Sequence, residues 1–283
     1  MKSRYLILVI LFAATFFIWQ AVFAQTDRGF LRVYFFDVGQ GAAVFIEDAK
    51  GRQILIDGGP DETILERLGR VLSFYDRTID LVILTHPDSD HLSGLLAVLK
   101  NYEIGQILET GISDSSSEYA FWQKETQEKK IKVNYAHFGQ KVKLEGGALE
   151  ILYPLFSLED KSFKNTNDTS IVSRLAVGRI SFLLTGDAEK KTEWQLVANN
   201  IFLDSDVLQV AHHGSKTSTS KEFLEAITPE AAVIQVGAEN RYGHPAQEVL
   251  ERLAAGKIYR TDLDGTIEIL TDEVNYKIKT LPD

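Results

Sequence analysis

The sequence predicts an α/β fold in which two β-sheets pack together with helices on their outer faces, in a single domain. Three observations carry this expectation. Short apolar runs alternate with helix-like runs from residue 30 to the end. Hairpin-like strand pairs open each half, and strand–helix units follow them. No linker, repeat or low-complexity tract interrupts the chain after residue 30. The 283 residues are 45% hydrophobic and 25% charged, a globular composition that suits one large α/β domain.

The elements follow in order. Residues 31–36, 43–46 and 53–56 are strand-like, with a hairpin turn at Asp48-Ala49-Lys50-Gly51 between the last two. Ile64, Leu65, Leu68, Val71 and Leu72 sit at helical spacing within 61–74. Leu81 to Leu84 is a buried strand, followed by a helix over residues 93–100 that Asp90 and His91 open. A polar helix spans 115–130 around Phe121 and Trp122. Strands are expected at 132–136, 141–144 and 148–152, then a polar loop from Ser157 to Asn167. Residues 170–177 and 180–184 form a hairpin across Gly178-Arg179. Helix (189–199), strand (206–211), helix (220–227), strand (231–236) and helix (246–255) come next. Strands at 266–271 and 274–280 close the chain.

The N-terminus bears on compartment. Lys2 and Arg4 precede an apolar run from Tyr5 to Trp19, and Ala21-Val22-Phe23-Ala24 offers small or β-branched residues before Gln25. This pattern predicts an exported protein whose residues 1–24 are a signal peptide or an uncleaved anchor. Residues 25–283 are the expected domain. Contact with a membrane is expected only through the leader, if it stays attached.

The net charge of −10 excludes a broad basic face for nucleic acid, so an anionic substrate has to be held locally. With no cysteine, disulfides, thiolate metal sites and a cysteine nucleophile are excluded. Nothing in the sequence calls for a protein partner.

Five apolar strands end in residues able to bind metal: Asp37, Asp57, His86, Asp187 and the pair His212-His213. One such residue is an ordinary turn aspartate or satisfied histidine. Five of them, with the dense stretch His86-Pro87-Asp88-Ser89-Asp90-His91, point to a metal centre at the strand ends. His86 and Asp88 are two apart, so in an extended segment they point the same way. Asp90 and His91 open the next helix. Such a strand-to-helix turn can aim two ligands at one metal and two at a neighbour about 3.5–4 Å away.

The ordered motifs resemble the metallo-β-lactamase superfamily, whose common motif is His-x-His-x-Asp-His. Here Asp88 stands where the second histidine usually is. That variant resembles a narrower branch, the C-terminal hydrolase domain of the competence protein ComEC. Phe36-Asp37-Val38-Gly39-Gln40-Gly41, Leu55-Ile56-Asp57-Gly58-Gly59, Leu184-Thr185-Gly186-Asp187, Val210-Ala211-His212-His213-Gly214-Ser215-Lys216, Tyr242-Gly243-His244-Pro245 and Tyr259-Arg260-Thr261-Asp262-Leu263-Asp264-Gly265 resemble it as well. Two departures stand out. Ala42 occupies a position usually acidic in that branch. Only the leader precedes the motifs, so a DNA-channel role is not carried over.

The resemblance implies a four-layer αββα sandwich and an exported hydrolase using two divalent ions, Zn²⁺ or Mn²⁺. His86 and Asp88 would hold one ion, Asp90 and His91 the other, and Asp187 would bridge them. His213, or alternatively His212, would complete the second site. Asp90, His212 and His244 would face the chemistry, His212 as a phosphate-binding or acid group. Asp57 and Asp37 would lie behind the ligands. Asn167 or Asp168 would line the site where the superfamily has a further histidine, and His137 is expected at the surface. Two divalent ions against three aspartates leave a small net positive charge that attracts an anion and acidifies bound water. Asp88 in place of a histidine hardens its site toward Mn²⁺, with Zn²⁺ still open. A phosphodiesterase or nuclease, with DNA among the candidate substrates, is the first expectation. The alternatives are hydrolysis of a phosphocholine or teichoic-acid ester, a β-lactamase- or lactonase-like activity, and a non-catalytic binding module.

Overall fold

The computed structural model of the chain describes residues 2–24 and 29–282. Helix α1 (Lys2–Ala24) opens the chain, with Leu8, Phe12 and Phe17 exposed on it. The expected cleavage point before Gln25 lies outside the described residues.

Six strands follow: β1 (Leu31–Phe35), β2 (Val44–Glu47), β3 (Gln53–Ile56), β4 (Thr78–Ile83), β5 (Glu103–Glu109) and β6 (Lys132–Tyr135). Seven more build the second sheet: β7 (Lys141–Leu144), β8 (Gly147–Tyr153), β9 (Val172–Val177), β10 (Ile180–Leu184), β11 (Val207–Gln209), β12 (Ala231–Ile234) and β13 (Lys257–Arg260). The chain then returns with β14 (Thr266–Thr271) and β15 (Tyr276–Leu281) to complete an eight-stranded first sheet, ordered β15-β14-β1-β2-β3-β4-β5-β6. The second sheet runs β13-β12-β11-β10-β9-β8-β7. In each half an antiparallel hairpin leads into a parallel stretch, β3 to β6 and β10 to β13.

The two-residue period of the strands builds the layers. Val33 and Phe35 of β1, Ile54 and Ile56 of β3, and Leu81 and Ile83 of β4 meet Leu149, Leu175, Phe182 and Val233 between the sheets. The alternate residues Tyr34, Leu55 and Val82 face outward. There they pack on α2 (Thr63–Val71), α3 (Ser89–Asn101) and α4 (Ser117–Glu128) through Leu68, Leu95 and Trp122. Leu183, Leu208 and Ala232 likewise pack on α5 (Lys190–Ala198), α6 (Lys221–Ile227) and α7 (Gln247–Leu253) through Leu196, Phe223 and Val249. The result is the expected four-layer αββα sandwich. Both faces of each sheet are covered, so the inner strands are nearly continuous apolar runs.

Three elements were not legible in the sequence. In β5, Glu103, Gly105 and Gln106 break the apolar pattern. Gly105 sits where the neighbouring strand passes close, since a Cβ there would lie 2.7 Å from the Asp80 carbonyl. The edge strand β13 is only four residues and half exposed, so burial imposes no clear alternation. The short helix α8 (Thr261–Asp264) is one turn.

Because β3 and β4 are parallel, as are β10 and β11, their C-terminal ends gather at one edge of the sandwich.

Candidate metal centre

The turn after β4 explains the crowded stretch at residues 86–91. Asp88 is extended (φ −68°, ψ 146°) and stands at the N-terminus of α3. That helix begins hard against the loop after β3. Gly58 N–H donates to the His91 carbonyl at 2.8 Å, and Gly94 N–H donates to the Gly59 carbonyl at 2.9 Å. A Cβ on Gly94 would collide with the Gly58 carbonyl, so only glycine lets helix and loop meet. On the opposite side, His212 (φ 50°) and His213 (φ 53°) both lie in the left-handed region. Two consecutive non-glycine residues there are costly, and the fold holds them so that both imidazoles face the same cleft.

Asp90, His91, Asp187 and His213 converge, with one donor atom of each within 4.8 Å of all the others. His91 Nε2 is 3.1 Å from Asp187 Oδ1. His213 Nε2 is 3.4 Å from Asp187 Oδ2 and 3.3 Å from Asp90 Oδ2. His86 lies beside His91 with ring centroids 4.2 Å apart and the planes tilted by 55°, and its Nε2 is 3.7 Å from Asp88 Oδ2. The Nε2 atoms of His86, His91 and His213 are buried without a hydrogen-bond partner, although carboxylate oxygens lie near. Buried polar atoms rarely go unsatisfied. Three imidazole nitrogens and three carboxylates converging this way fit divalent cations held by N and O ligands.

A sequence profile described as the Metallo-beta-lactamase superfamily matches residues 36–238. The chain belongs to the metallo-β-lactamase superfamily. It is 30% identical over 255 residues to ComE operon protein 3 of Bacillus subtilis (strain 168), covering 82% of this chain and 32% of the relative. It is 33% identical over 240 residues to the competence protein ComA of Neisseria gonorrhoeae, covering 82% of this chain and 31% of that protein. The chain thus spans about a third of the length of these relatives. Among solved structures, the metallo-beta-lactamase fold protein YhfI from Bacillus subtilis matches with a TM-score of 0.57 at 12% identity, over 86% of this chain and 100% of that one. That identity speaks to fold alone. The chain is therefore a ComEC-like hydrolase of this superfamily.

Behind this cluster lies a buried support. Asp57, at φ 59°, accepts from Thr85 N–H at 2.8 Å and from the Thr85 hydroxyl at 2.7 Å, and its Oδ2 is 2.7 Å from His91 Nδ1. That fixes the His91 ring and turns Nε2 toward the cleft. His213 Nδ1 is tied to the Gln235 carbonyl at 2.8 Å. Gln235 in turn donates to the carbonyls of Phe36 and Ala43, bracing the two sheets. Glu189 Oε1 lies 3.2 Å from His212 Nδ1 and also accepts from the Thr217 hydroxyl at 2.9 Å. Thr166 donates to Asp88. Glu189, Thr166 and Gln235 were not singled out in the sequence. Only Gln235 left a signal there, as a polar residue inside the apolar run from Ala231 to Val236.

The charges reinforce one another. Burial works against ionised His91, but the Asp187 and Asp57 carboxylates hold its pKa well above the usual histidine range. Burial likewise opposes charging His213, yet Asp187 and Asp90 push it up to about 10. Burial would raise Asp90, but its contact with His213 and the charge of His91 bring it down to about 2. His86 is pushed down by burial and by the neighbouring His91 charge. Three carboxylates thus draw positive charge into a buried pocket. A divalent ion held by these residues would have to displace the protons on His91 and His213, so its occupancy is expected to rise with pH.

The other expected residues are placed as follows. His212 is partly exposed beside the cluster, its Nε2 3.8 Å from Asp187 Oδ2, while His213 is the buried member of the pair. Asn167 is buried, with Nδ2 3.4 Å from His212 Nε2 and an unpartnered Oδ1. Asp168 departs from its expected place: its carboxylate pairs with Lys191 at 2.7 Å rather than with a histidine, so Asn167 alone of the two lines the site. Asp37 stands behind the cluster, just past the end of β1. It accepts from Gly39 N–H at 3.1 Å and so shapes the turn through Gly41 that lies against the Asp90 backbone. His244 meets His212 edge-on at 5.7 Å between centroids, at the mouth of the cleft. His137 is exposed.

Proposed function

We propose that this chain is an exported phosphodiesterase or nuclease that works with two divalent ions, Zn²⁺ or Mn²⁺. The convergence of three unpartnered, buried imidazole nitrogens with Asp88, Asp90 and Asp187 carries this reading. His86 and Asp88 would hold one ion. Asp90, His91 and His213 would hold the other, and Asp187 would be shared. Such ions supply Lewis acidity and an acidified water, the chemistry that phosphodiester hydrolysis requires. The oxygen-rich donor set suits hard cations and an anionic substrate. His212 stands next to the cluster and outside it. Glu189 at its Nδ1 leaves Nε2 facing the cleft, to bind a phosphate oxygen or to give a proton to the departing alcohol. The competence proteins among the relatives favour DNA as one substrate to assay.

Metal-loaded protein should hydrolyse bis-p-nitrophenyl phosphate or single-stranded DNA, with turnover stimulated by Mn²⁺ and lost on chelation. Turnover of a cephalosporin with neither phosphodiester cleaved would overturn this reading. Export rests on Lys2, Arg4 and the apolar run after them. Cell fractionation should recover the protein outside the inner membrane or tethered to its outer face. Full-length protein in the soluble cytoplasm would refute export.

A further inference from the structure

The loop after β12 builds a layered platform at the mouth of the cleft. The Tyr242 ring stacks on His244 with centroids 5.8 Å apart and 25° between planes, and His244 in turn abuts His212. On the solvent side, the Arg241 guanidinium lies 5.2 Å from the Tyr242 ring centroid and donates to its hydroxyl at 3.2 Å. A ladder of planar groups therefore runs outward from the cluster: His213, His212, His244, Tyr242, Arg241.

The loop is fixed where it matters. The Asn240 amide donates to the carbonyls of His244 at 2.7 Å and Gly237 at 2.9 Å, and its oxygen accepts from His244 N–H at 2.9 Å. Ala246 N–H donates to the Gly214 carbonyl at 2.9 Å. A Cβ on Gly214 would lie 2.6 Å from Pro245, so the loop is packed onto the histidine turn itself. Tyr242 is 57% exposed and belongs to none of the core clusters, so its ring faces the cleft mouth rather than the interior.

We infer that Arg241 and Tyr242 form a clamp that selects phosphodiesters whose alcohol carries a nucleobase. This rests on the phosphodiesterase reading and adds to it the recognition of the group beside the phosphate. A neutral planar base can stack on the Arg241 guanidinium that caps the tyrosine, or on the ring itself once that exposed side chain swings aside, and such stacking tolerates any base. Arg241 also brings a positive charge to the entrance of an acidic protein, where it attracts phosphate. The same charge disfavours a quaternary ammonium, so a choline ester fits this mouth poorly.

The test compares thymidine 5′-(p-nitrophenyl phosphate) with methyl p-nitrophenyl phosphate on the metal-loaded protein. The leaving group is the same, so the ratio of their kcat/KM values reads recognition of the nucleoside. Tyr242→Ala should lower that ratio about tenfold, chiefly through KM for the nucleoside substrate. Arg241→Ala should lower it as well, and Tyr242→Phe should keep it within about twofold of wild type. An unchanged ratio in Tyr242→Ala overturns the clamp and leaves the phosphodiesterase reading standing. If wild-type protein cleaves neither diester, the phosphodiesterase reading fails and the clamp fails with it.

Discussion

Replacing Asp187 with alanine is expected to lower turnover at least ~100-fold while the fold survives. Asp187 follows β10, whose Ile180, Phe182 and Leu184 are locked into the core between the sheets. Its side chain emerges beyond that core, 3.1 Å from His91 Nε2 and 3.4 Å from His213 Nε2. Among the described residues, Asp187 alone lies within 4 Å of His91, His213 and the partly exposed His212 together. Without it, two divalent ions would face each other with no shared counter-charge, and at least one should leave. Elemental analysis should find close to two ions per wild-type chain and clearly fewer in the variant. Circular dichroism of the two proteins should superimpose, because Asp187 lies outside the apolar core between the sheets. A variant that retains more than about a tenth of wild-type turnover at saturating metal would show that Asp187 is not the shared ligand.

Much of this architecture was legible because burial writes a pattern. The strands around residues 33, 46, 55, 82 and 183 are apolar on both faces, and the four-layer sandwich buries both faces of each sheet. The site was legible for a different reason. Aspartates and histidines at the ends of such strands have no packing role there, so they stand out against an apolar background. The helical turn at 89–91 and the double histidine stood out in the same way.

What stayed hidden was set by tertiary partners. β5 is a strand because β4 and β6 flank it, while its own residues include two glutamates and a glycine. Glu189 looks like an ordinary acidic residue before a helix until the fold places His212 beside it. Asp168 was expected near the cluster and is instead drawn to Lys191, a residue on α5 whose nearness no local spacing reveals. The left-handed backbone at His212 and His213 was equally invisible, since neither residue type announces it.

Asp57→Asn should weaken metal binding by about 10–100-fold without touching any ligand. Asp57 is 1% exposed and engages three groups: the Thr85 amide, the Thr85 hydroxyl and His91 Nδ1. A carboxylate accepts from all three. An amide has a single acceptor oxygen, and its NH₂ must face either a backbone N–H or the imidazole. Where it faces His91 Nδ1, that nitrogen becomes the acceptor, the proton moves to Nε2, and the atom meant for the metal is blocked. Asparagine tolerates the left-handed backbone at this position, so the effect isolates the hydrogen-bond network. Alanine does not tolerate it as well, and it also strips a buried histidine of its counter-charge. Asp57→Ala should therefore lose about 3–5 kcal/mol of stability in the metal-free protein. Calorimetric titration with Zn²⁺ or Mn²⁺ measures the first effect and chemical denaturation the second. Wild-type affinity in Asp57→Asn would mean that His91 is oriented by packing alone, and that the 2.7 Å contact between Asp57 and His91 does not set its tautomer.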